Sequence, residues 1–162
     1  LVRDHEQEMS LREAMRRDRA WIRAEGCPVG LHLYRIEEGD CRGLAAQISC
    51  TQEIAGMGAF SLGMIAKFEG PIREQGAAQY RRLFWEAGFI GQILYLEAEA
   101  AGLRATGIGC YFDDPVHEVF GFEGKRYQSM YHFTVGGPFE DTRLTTLPPY
   151  SAERMGRIGW IE

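Results

Sequence analysis

The stretch that decides the fold runs from Gln79 to Gly102 and reads QYRRLFWEAGFIGQILYLEAEAAG. Its apolar residues recur at spacings of three and four, the period of a helix that buries one face. This stripe comprises Leu83, Ala87, Ile90, Leu94, Ala98 and Ala101. Gly102 follows at the position where helices commonly end in a left-handed residue. The pattern therefore predicts one long helix over residues 79–101.

Two glycines, Gly88 and Gly91, interrupt the middle of this predicted helix. Each costs about 1 kcal/mol relative to alanine in a helix interior. Their presence indicates that something approaches the helix closely. One interpretation is a subunit contact or the wall of a cofactor site, and the other is tight packing of the helix on a sheet.

Strands are predicted on both sides of this helix. Residues 31–36, 60–68 and 127–135 alternate apolar and polar positions or are almost continuously apolar, and glycine bounds each of them. Shorter helices are predicted at residues 41–56 and 113–120, the second of them closed by Gly121. Residues 8–25 combine spaced apolar residues with many charges behind Ser10 and Glu13, which predicts an amphipathic N-terminal helix with a capping box.

Composition excludes several classes of protein. The chain has 162 residues, of which 45% are hydrophobic and 25% charged, enough for one packed domain. Its net charge is −5 and its 18 basic residues are scattered, so the concentrated positive face of a nucleic-acid-binding protein is not expected. No apolar run approaches the roughly 20 residues that span a bilayer, and no secretory leader is recognisable at the start. We expect neither nucleic-acid nor membrane partners.

The four cysteines, Cys27, Cys41, Cys50 and Cys110, have no regular spacing. In a chain of this size such cysteines are expected to be reduced thiols rather than a disulfide framework, which favours a cytoplasmic location. The first residue is Leu1 and not methionine, so two interpretations stay open: Leu1 is a natural start, or the sequence is a fragment that lacks an upstream part.

The familiar catalytic motifs do not occur in the sequence. The four histidines show no metal-ligand spacing with each other or with cysteine, so no metal site is expected. Neither a Gly-x-Ser-x-Gly elbow nor a Walker A loop is found, and Gly107-Ile108-Gly109 lacks the third glycine of a dinucleotide fingerprint. These absences disfavour hydrolase, kinase and Rossmann functions.

Two runs carry a family resemblance. WEAGFIGQILYLEAEAAGLRATGIGCYFDDPVHEVFGF (residues 85–122) and YHFTVGGPFEDTRLTTLPPY (residues 131–150) resemble the C-terminal half of nitroreductase-superfamily proteins, especially the SagB-type dehydrogenase branch. The resemblance covers residues 80–150. It implies an α+β fold with a central, mostly antiparallel sheet flanked by helices, of which this chain holds part. It also implies a homodimer with FMN at the subunit interface.

The resemblance also points to cofactor-binding residues. Gly107, Ile108, Gly109 and Cys110 fall where the family places backbone against the flavin ring, and small residues let a flat ring approach the backbone closely. An ordinary tight turn is the alternative. Arg143 falls where the family places a basic residue near the flavin phosphate, although a solvated surface arginine is an equal alternative.

The sequence also departs from the family pattern. An Arg-Arg-Ser-x-Arg run grips the flavin phosphate in the superfamily, whereas the nearest run here, residues 16–19, reads RRDR and lies in the predicted N-terminal helix. SagB-type oxidases show a Lys-Tyr pair, where this chain has Lys67-Phe68. Azoline oxidation is therefore in doubt, and no catalytic residue is assigned.

The resemblance implies an FMN-dependent oxidoreductase that takes a hydride from NAD(P)H or a substrate and passes electrons to a second, small-molecule or peptide substrate. The alternative is a non-catalytic module of the same fold that has lost its phosphate site and serves in dimerisation or partner binding. We predict an N-terminal helix over residues 1–28, a flavin domain over 29–150 and a tail over 151–162.

Overall fold

The computed structural model describes residues 1–145. The α-helices are α1 (Glu8–Ala14), α2 (Arg42–Ile48), α3 (Ile54–Met57), α4 (Glu69–Gln75), α5 (Ala78–Ala100) and α6 (Asp113–Phe120), and a 3₁₀ turn at His5–Gln7 precedes α1. The strands are β1 (Ile22–Arg23), β2 (Tyr34–Arg35), β3 (Phe60–Lys67), β4 (Arg104–Ile108) and β5 (Tyr127–Gly136). The predicted tail at 151–162 lies outside the described residues.

The main sheet has three antiparallel strands in the order β3-β5-β4. Strand β5 is central, so both its edges are hydrogen-bonded. Both its faces are also largely buried, and Phe133 is 0% exposed. A central strand covered on both faces is favoured by aromatic and β-branched residues, which β5 supplies. The predicted α+β fold, an antiparallel sheet flanked by helices, is confirmed.

Helix α5 packs on this sheet through the predicted apolar stripe. Ala98 joins Phe133 and Val135 in one buried cluster, with Leu94 packed against it. At Gly91 an added Cβ would stand 2.8 Å from Cε1 of Tyr131, so glycine there admits the tyrosine ring. The packing interpretation thus holds for Gly91. At Gly88 an added Cβ would meet nothing within 4 Å.

The helix predicted for residues 8–25 is wrong beyond Ala14. Met15 leaves the helix with extended backbone and is buried in a second cluster with Phe122 and Tyr127. The next residue, Arg16, donates its backbone N–H to the Phe120 carbonyl at 2.9 Å. Burial of Met15 and pairing with α6 therefore replace about three further helical turns. The predicted domain boundary at residue 28 stays a prediction.

Most other elements lie where the sequence predicts them. The helix predicted at residues 41–56 is divided into α2 and α3, while β3, β5 and α6 match their predictions to within a residue or so. The strand predicted at 31–36 is reduced to β2, which pairs with β1, and a bridge from His32 to Val2. In the described part of the chain, no helix is long and apolar enough to cross a membrane.

The expectation of reduced cysteines is wrong for one pair. Cys50 and Cys110 form a disulfide across 60 residues of sequence, while Cys27 and Cys41 are free. Cys50 follows α2 and Cys110 follows β4, and nothing in the sequence spacing brings the two segments together. The disulfide removes part of the argument for a reducing compartment.

Candidate functional site

The predicted cofactor motif does not lie entirely in a loop. Gly107 and Ile108 belong to β4, and Ile108 is 2% exposed opposite His132 of β5. The backbone N–H of Gly107 donates to the hydroxyl of Tyr95 at 2.6 Å, and a Cβ on Gly107 would overlap the hydroxyl of Tyr131. These two residues are committed to packing between β4, β5 and α5. Their contact with a cofactor stays a prediction.

Gly109 and Cys110 are the accessible part of the motif. Both are exposed, and an added Cβ at Gly109 would meet nothing within 4 Å. Within residues 1–145 neither backbone N–H donates to a protein acceptor. The Cys110 carbonyl accepts a hydrogen bond from Nε2 of Gln52 at 3.2 Å. The motif therefore presents a short strip of bare backbone with free donors, which a flat ligand can approach.

A polar cluster follows this strip in sequence, beginning at Tyr111. The Tyr111 ring stacks on His132, with ring centroids 4.2 Å apart, and its hydroxyl donates to the Ser129 carbonyl at 3.2 Å. Ser129 Oγ lies 2.8 Å from Nε2 of His132. Ser129 and His132 are both buried. The pair has the geometry of a nucleophile and base but is closed to substrate, so its role in this structure is to hold Tyr111 in place.

Burial sets the protonation of this cluster. It raises the pKa of Tyr111 to about 12, with smaller contributions from Asp113 and Tyr80 in the same direction. It lowers the pKa of His132 below the ordinary value, an effect that the charge of Asp113 opposes. At neutral pH, Tyr111 is a protonated donor and the His132 imidazole is neutral. Sequence analysis missed this cluster because regular alternation puts Ser129 and His132 on opposite faces of the strand. An irregularity in the pairing of β3 with β5, at Met64 and Ile65, changes this register.

An open cleft adjoins the strip at the start of α6. Its walls are Tyr111, Phe112, Asp113, Asp114 and Pro115. Asp113 is fixed by a hydrogen bond from Nε2 of Gln128 at 2.7 Å. Exposed aromatic surface, backbone donors and one fixed carboxylate together suit a flat, aromatic and polar ligand.

The predicted phosphate residue, Arg143, is already paired. Its guanidinium binds the Asp141 carboxylate through two nitrogens, with Nη2 to Oδ2 at 2.5 Å. Its own backbone N–H donates to the same carboxylate. The Arg143 side chain is 85% exposed, so another anion can reach the guanidinium and replace the Asp141 carboxylate.

The RRDR run also has acidic partners. It lies after α1 and not within a helix. Arg16 pairs with Asp18, and Arg19 pairs with Glu37 while donating to the Val119 carbonyl. Two of its three arginines are therefore engaged within the chain. In residues 1–145 no group of three or more His, Cys, Asp or Glu side chains is arranged to hold a metal ion.

Comparisons with known proteins identify one family. The model of the nitroreductase family matches residues 34–137. A solved structure from Anabaena variabilis, assigned as a nitroreductase, is 31% identical and superposes with a TM-score of 0.61. That match covers 66% of this chain and 22% of the other. No curated protein gives a match.

Two further solved structures share the fold at low identity. B. megaterium NfrA1 is 16% identical with a TM-score of 0.55, over 75% of this chain and 59% of its own. A protein from Bacteroides fragilis assigned as an oxidoreductase is 14% identical with a TM-score of 0.52, over 75% and 58%. This chain therefore spans less than two thirds of each of these three proteins.

Proposed function

The chain belongs to the nitroreductase family, and we propose that it forms part of a flavin-dependent oxidoreductase that uses FMN. The observation that carries this proposal is the exposed strip at Gly109 and Cys110, whose backbone N–H groups meet no acceptor within residues 1–145, beside an aromatic cleft. FMN, when bound, supplies hydride and electron transfer. The chain itself has to orient the ring and its substrate.

The residues of the strip fit the flat part of FMN. Gly109 places no side chain between backbone and ligand, and two free N–H groups can meet the acceptor atoms of an isoalloxazine ring. Tyr111, the next residue after the strip, is held by His132 and Ser129. Gly107 and Ile108 contribute indirectly by anchoring β4.

Fewer residues of this chain are available to bind the phosphate of FMN. Arg143 is the proposed phosphate ligand, because a guanidinium binds phosphate through two parallel hydrogen bonds. It has to leave Asp141 to do so. Since the chain spans 22% of the Anabaena protein that it matches, we propose that further phosphate ligands lie in sequence outside this chain.

The finer assignment is to the SagB-type dehydrogenase branch, supported by the run GLRATGIGCYFDD at residues 102–114. We propose NAD(P)H as an electron donor and a small molecule or peptide as the substrate. The Lys67-Phe68 pair lacks the phenol of the SagB-type oxidases, so azoline oxidation is not proposed. A cytoplasmic location also remains part of the proposal.

The proposed partner is a second copy of the same fold. The outer face of α5 exposes Trp85 (66%), Phe89 (67%) and Leu96 (61%), which lie at spacings of four and seven. Contiguous exposed apolar side chains of this size favour a protein interface. Gly88 lies beside Trp85 on the helix surface and has open space next to it.

A non-catalytic module remains the second candidate function. The observation that favours it is that Arg16, Arg19 and Arg143 are all bound to acidic side chains of the same chain. A domain of this kind would retain the α5 interface without binding flavin.

Titration of FMN into the full chain, followed by quenching of flavin fluorescence, tests the choice. We expect Gly109→Val to weaken FMN binding while leaving the melting temperature nearly unchanged, because the branched side chain would occupy the strip. Gly30→Val is the matched control, since Gly30 also has nothing within 4 Å of an added Cβ. Absence of FMN binding, here and in any longer form of the protein, would favour the non-catalytic module.

A further inference from the structure

We propose that the Cys50–Cys110 disulfide is a reversible redox switch that fixes the segment Gly109–Phe112. The proposal concerns the chain itself, and it rests on the proposed function only for its effect on FMN binding. It follows from three features of the two joined segments: the small number of other contacts between them, the backbone conformation on the Cys50 side, and the exposure of Cys110.

Few contacts besides the disulfide join the two segments. Nε2 of Gln52 donates to the Cys110 carbonyl at 3.2 Å, and the Phe112 N–H donates to the Ile48 carbonyl at 2.8 Å. Both bonds depend on residues 48–52, at and after the end of α2, remaining beside residues 110–112, which follow β4. The disulfide is the covalent link between them, so its cleavage leaves these two hydrogen bonds and the burial of Ile48 and Ser49 to hold the same arrangement.

The backbone on the Cys50 side is in an unfavourable conformation. Cys50 has φ 54° and Thr51 has φ 60°, and these are the two residues other than glycine with positive φ in the described chain. The left-handed region is disfavoured for L-residues and most strongly for β-branched ones such as threonine. Such a turn persists when its surroundings over-determine it. Loss of the disulfide removes one of these restraints.

The bond is accessible to small thiols. Cys110 is exposed and Cys50 is half-buried. A low-molecular-weight thiolate attacks Sγ of Cys110, and the Cys50 thiolate leaves and takes up a proton. A second thiolate then releases Cys110 as a thiol and forms the small-molecule disulfide. Two electrons pass from two small thiols to the protein, and a small-molecule disulfide re-oxidises the pair in the reverse reaction.

The switch has a direct consequence for the strip. In the oxidised state Cys110 is held at both its side chain and its carbonyl, so the backbone N–H groups of Gly109 and Cys110 are pre-ordered. In the reduced state the segment has more conformations available to it. A ligand that binds the strip then has to order it, which lowers affinity.

Thiol trapping tests the redox step. The full chain is equilibrated in glutathione buffers of graded oxidation, quenched with acid and alkylated, and the cysteine peptides are quantified by mass spectrometry. We expect Cys50 and Cys110 to become alkylated together as the buffer becomes reducing, whereas the free Cys27 and Cys41 serve as internal controls. A pair that stays alkylated in the oxidising buffers, or stays bonded in all of the reducing ones, overturns the proposal.

Amide exchange tests the effect on the segment. The reporter is the Phe112 N–H, bound to Ile48, and the control is the Leu103 N–H, bound to Ala98 at 2.8 Å. Reduction should speed exchange at Phe112 by about tenfold or more and leave Leu103 unchanged. Cys110→Ser should reproduce the reduced state, and reduction of the wild-type chain gives the same test if this variant does not fold. Equal Phe112 exchange in both states would overturn the switch.

FMN titration of both states separates this proposal from the proposed function. Weaker FMN binding after reduction supports both, and equal FMN binding in the two states contradicts the effect assigned to the switch. If FMN binds neither state, the proposed function fails, while the Phe112 exchange rates still decide the switch.

Discussion

The Tyr111 ring lies nearly flat on the imidazole of His132, with planes inclined by 18° and centroids 4.2 Å apart. This stack joins the segment after β4 to the central strand β5. His132 is 6% exposed and is positioned by Ser129. A buried imidazole beneath an aromatic ring is best accommodated without charge. Protonation of His132 therefore opposes the packing that holds Tyr111.

Stability is expected to decline in mild acid because of His132. Burial lowers its pKa in the folded chain below the ordinary value of 6.5. As the pH falls below that value, the unfolded chain binds the proton first, so the free energy of unfolding decreases until the folded-state pKa is reached. Above pH 6.5 His132 is neutral in both states, and this loss of stability is absent. Urea denaturation at about pH 7.5, 6.5 and 5.5 measures how the free energy of unfolding changes with pH.

The matched variants are His132→Gln and His5→Gln. Glutamine at 132 offers hydrogen-bonding groups to Ser129 without a charge change in this range, so the slope should flatten whatever the absolute stability. His5 is exposed, and its replacement should leave the slope as it is. A slope that persists in His132→Gln would assign the pH dependence to another group.

Gly107→Ala is expected to destabilise the chain strongly. The new Cβ would overlap the hydroxyl of Tyr131, and its neighbour in the ring, Cζ, would be 2.6 Å away. Overpacking of this kind typically costs about 1–3 kcal/mol. Chemical denaturation measures the loss. The control, Gly109→Ala, should cost much less because its Cβ points into open space.

Tyr131→Phe tests the cause. Removal of the hydroxyl takes away the nearest clashing atom, so the double variant Gly107→Ala/Tyr131→Phe should regain part of the stability that Gly107→Ala loses. Independent, additive losses would show that the clash is not with Tyr131, and that Gly107 is needed for another reason such as a ligand contact.

Helix α5 and strand β5 could be predicted from sequence because their signals are local. The stripe through Leu94 and Ala98 has the helical period, and the run that contains Phe133 alternates along a strand. Gly102 adopts the expected left-handed conformation, with φ 71°. In each case a residue's neighbours in sequence determine its environment.

The predictions from sequence are wrong where residues distant in the chain determine the local structure. Met15 ends α1 early because Phe122 and Tyr127 offer it a buried position, more than 100 residues along the chain. The disulfide joins Cys50, which follows α2, to Cys110, which follows β4, and the spacing of the cysteines does not reveal this pairing. Similarly, the run Gly107-Ile108-Gly109 is typical of a turn, but Gly107 lies in strand β4 with Tyr95 and Tyr131 packed against it.

The exposed face of α5 is expected to form a dimer interface. Light scattering should give twice the chain mass at micromolar concentration, and Phe89→Glu should give the monomer because it places a charge at the centre of the apolar face. Met57→Glu is the control, since Met57 is 80% exposed on α3. A wild-type monomer, or a Phe89→Glu dimer, would contradict this interface.

The Asp141 carboxylate and the FMN phosphate would compete for the guanidinium of Arg143. The Asp141 carboxylate raises the pKa of Arg143 through their hydrogen bonds, and the pKa of Asp141 is lowered in return. If Arg143 binds the FMN phosphate, Arg143→Ala removes a charged hydrogen bond, so we expect a loss of affinity of roughly ten- to hundredfold. Added salt should weaken wild-type binding in the same direction.

Asp141→Asn is expected to change FMN affinity in the opposite direction. It therefore tests whether Arg143 binds the phosphate. Asparagine still accepts the Arg143 backbone N–H but no longer neutralises the guanidinium, so Arg143 is released to the phosphate and FMN should bind more tightly than to the wild type. Riboflavin, which has the same ring without the phosphate, should bind both variants and the wild type alike. Flavin fluorescence titrations with the two ligands measure both effects. If Arg143→Ala and Asp141→Asn change FMN and riboflavin binding equally, Arg143 is not the phosphate ligand.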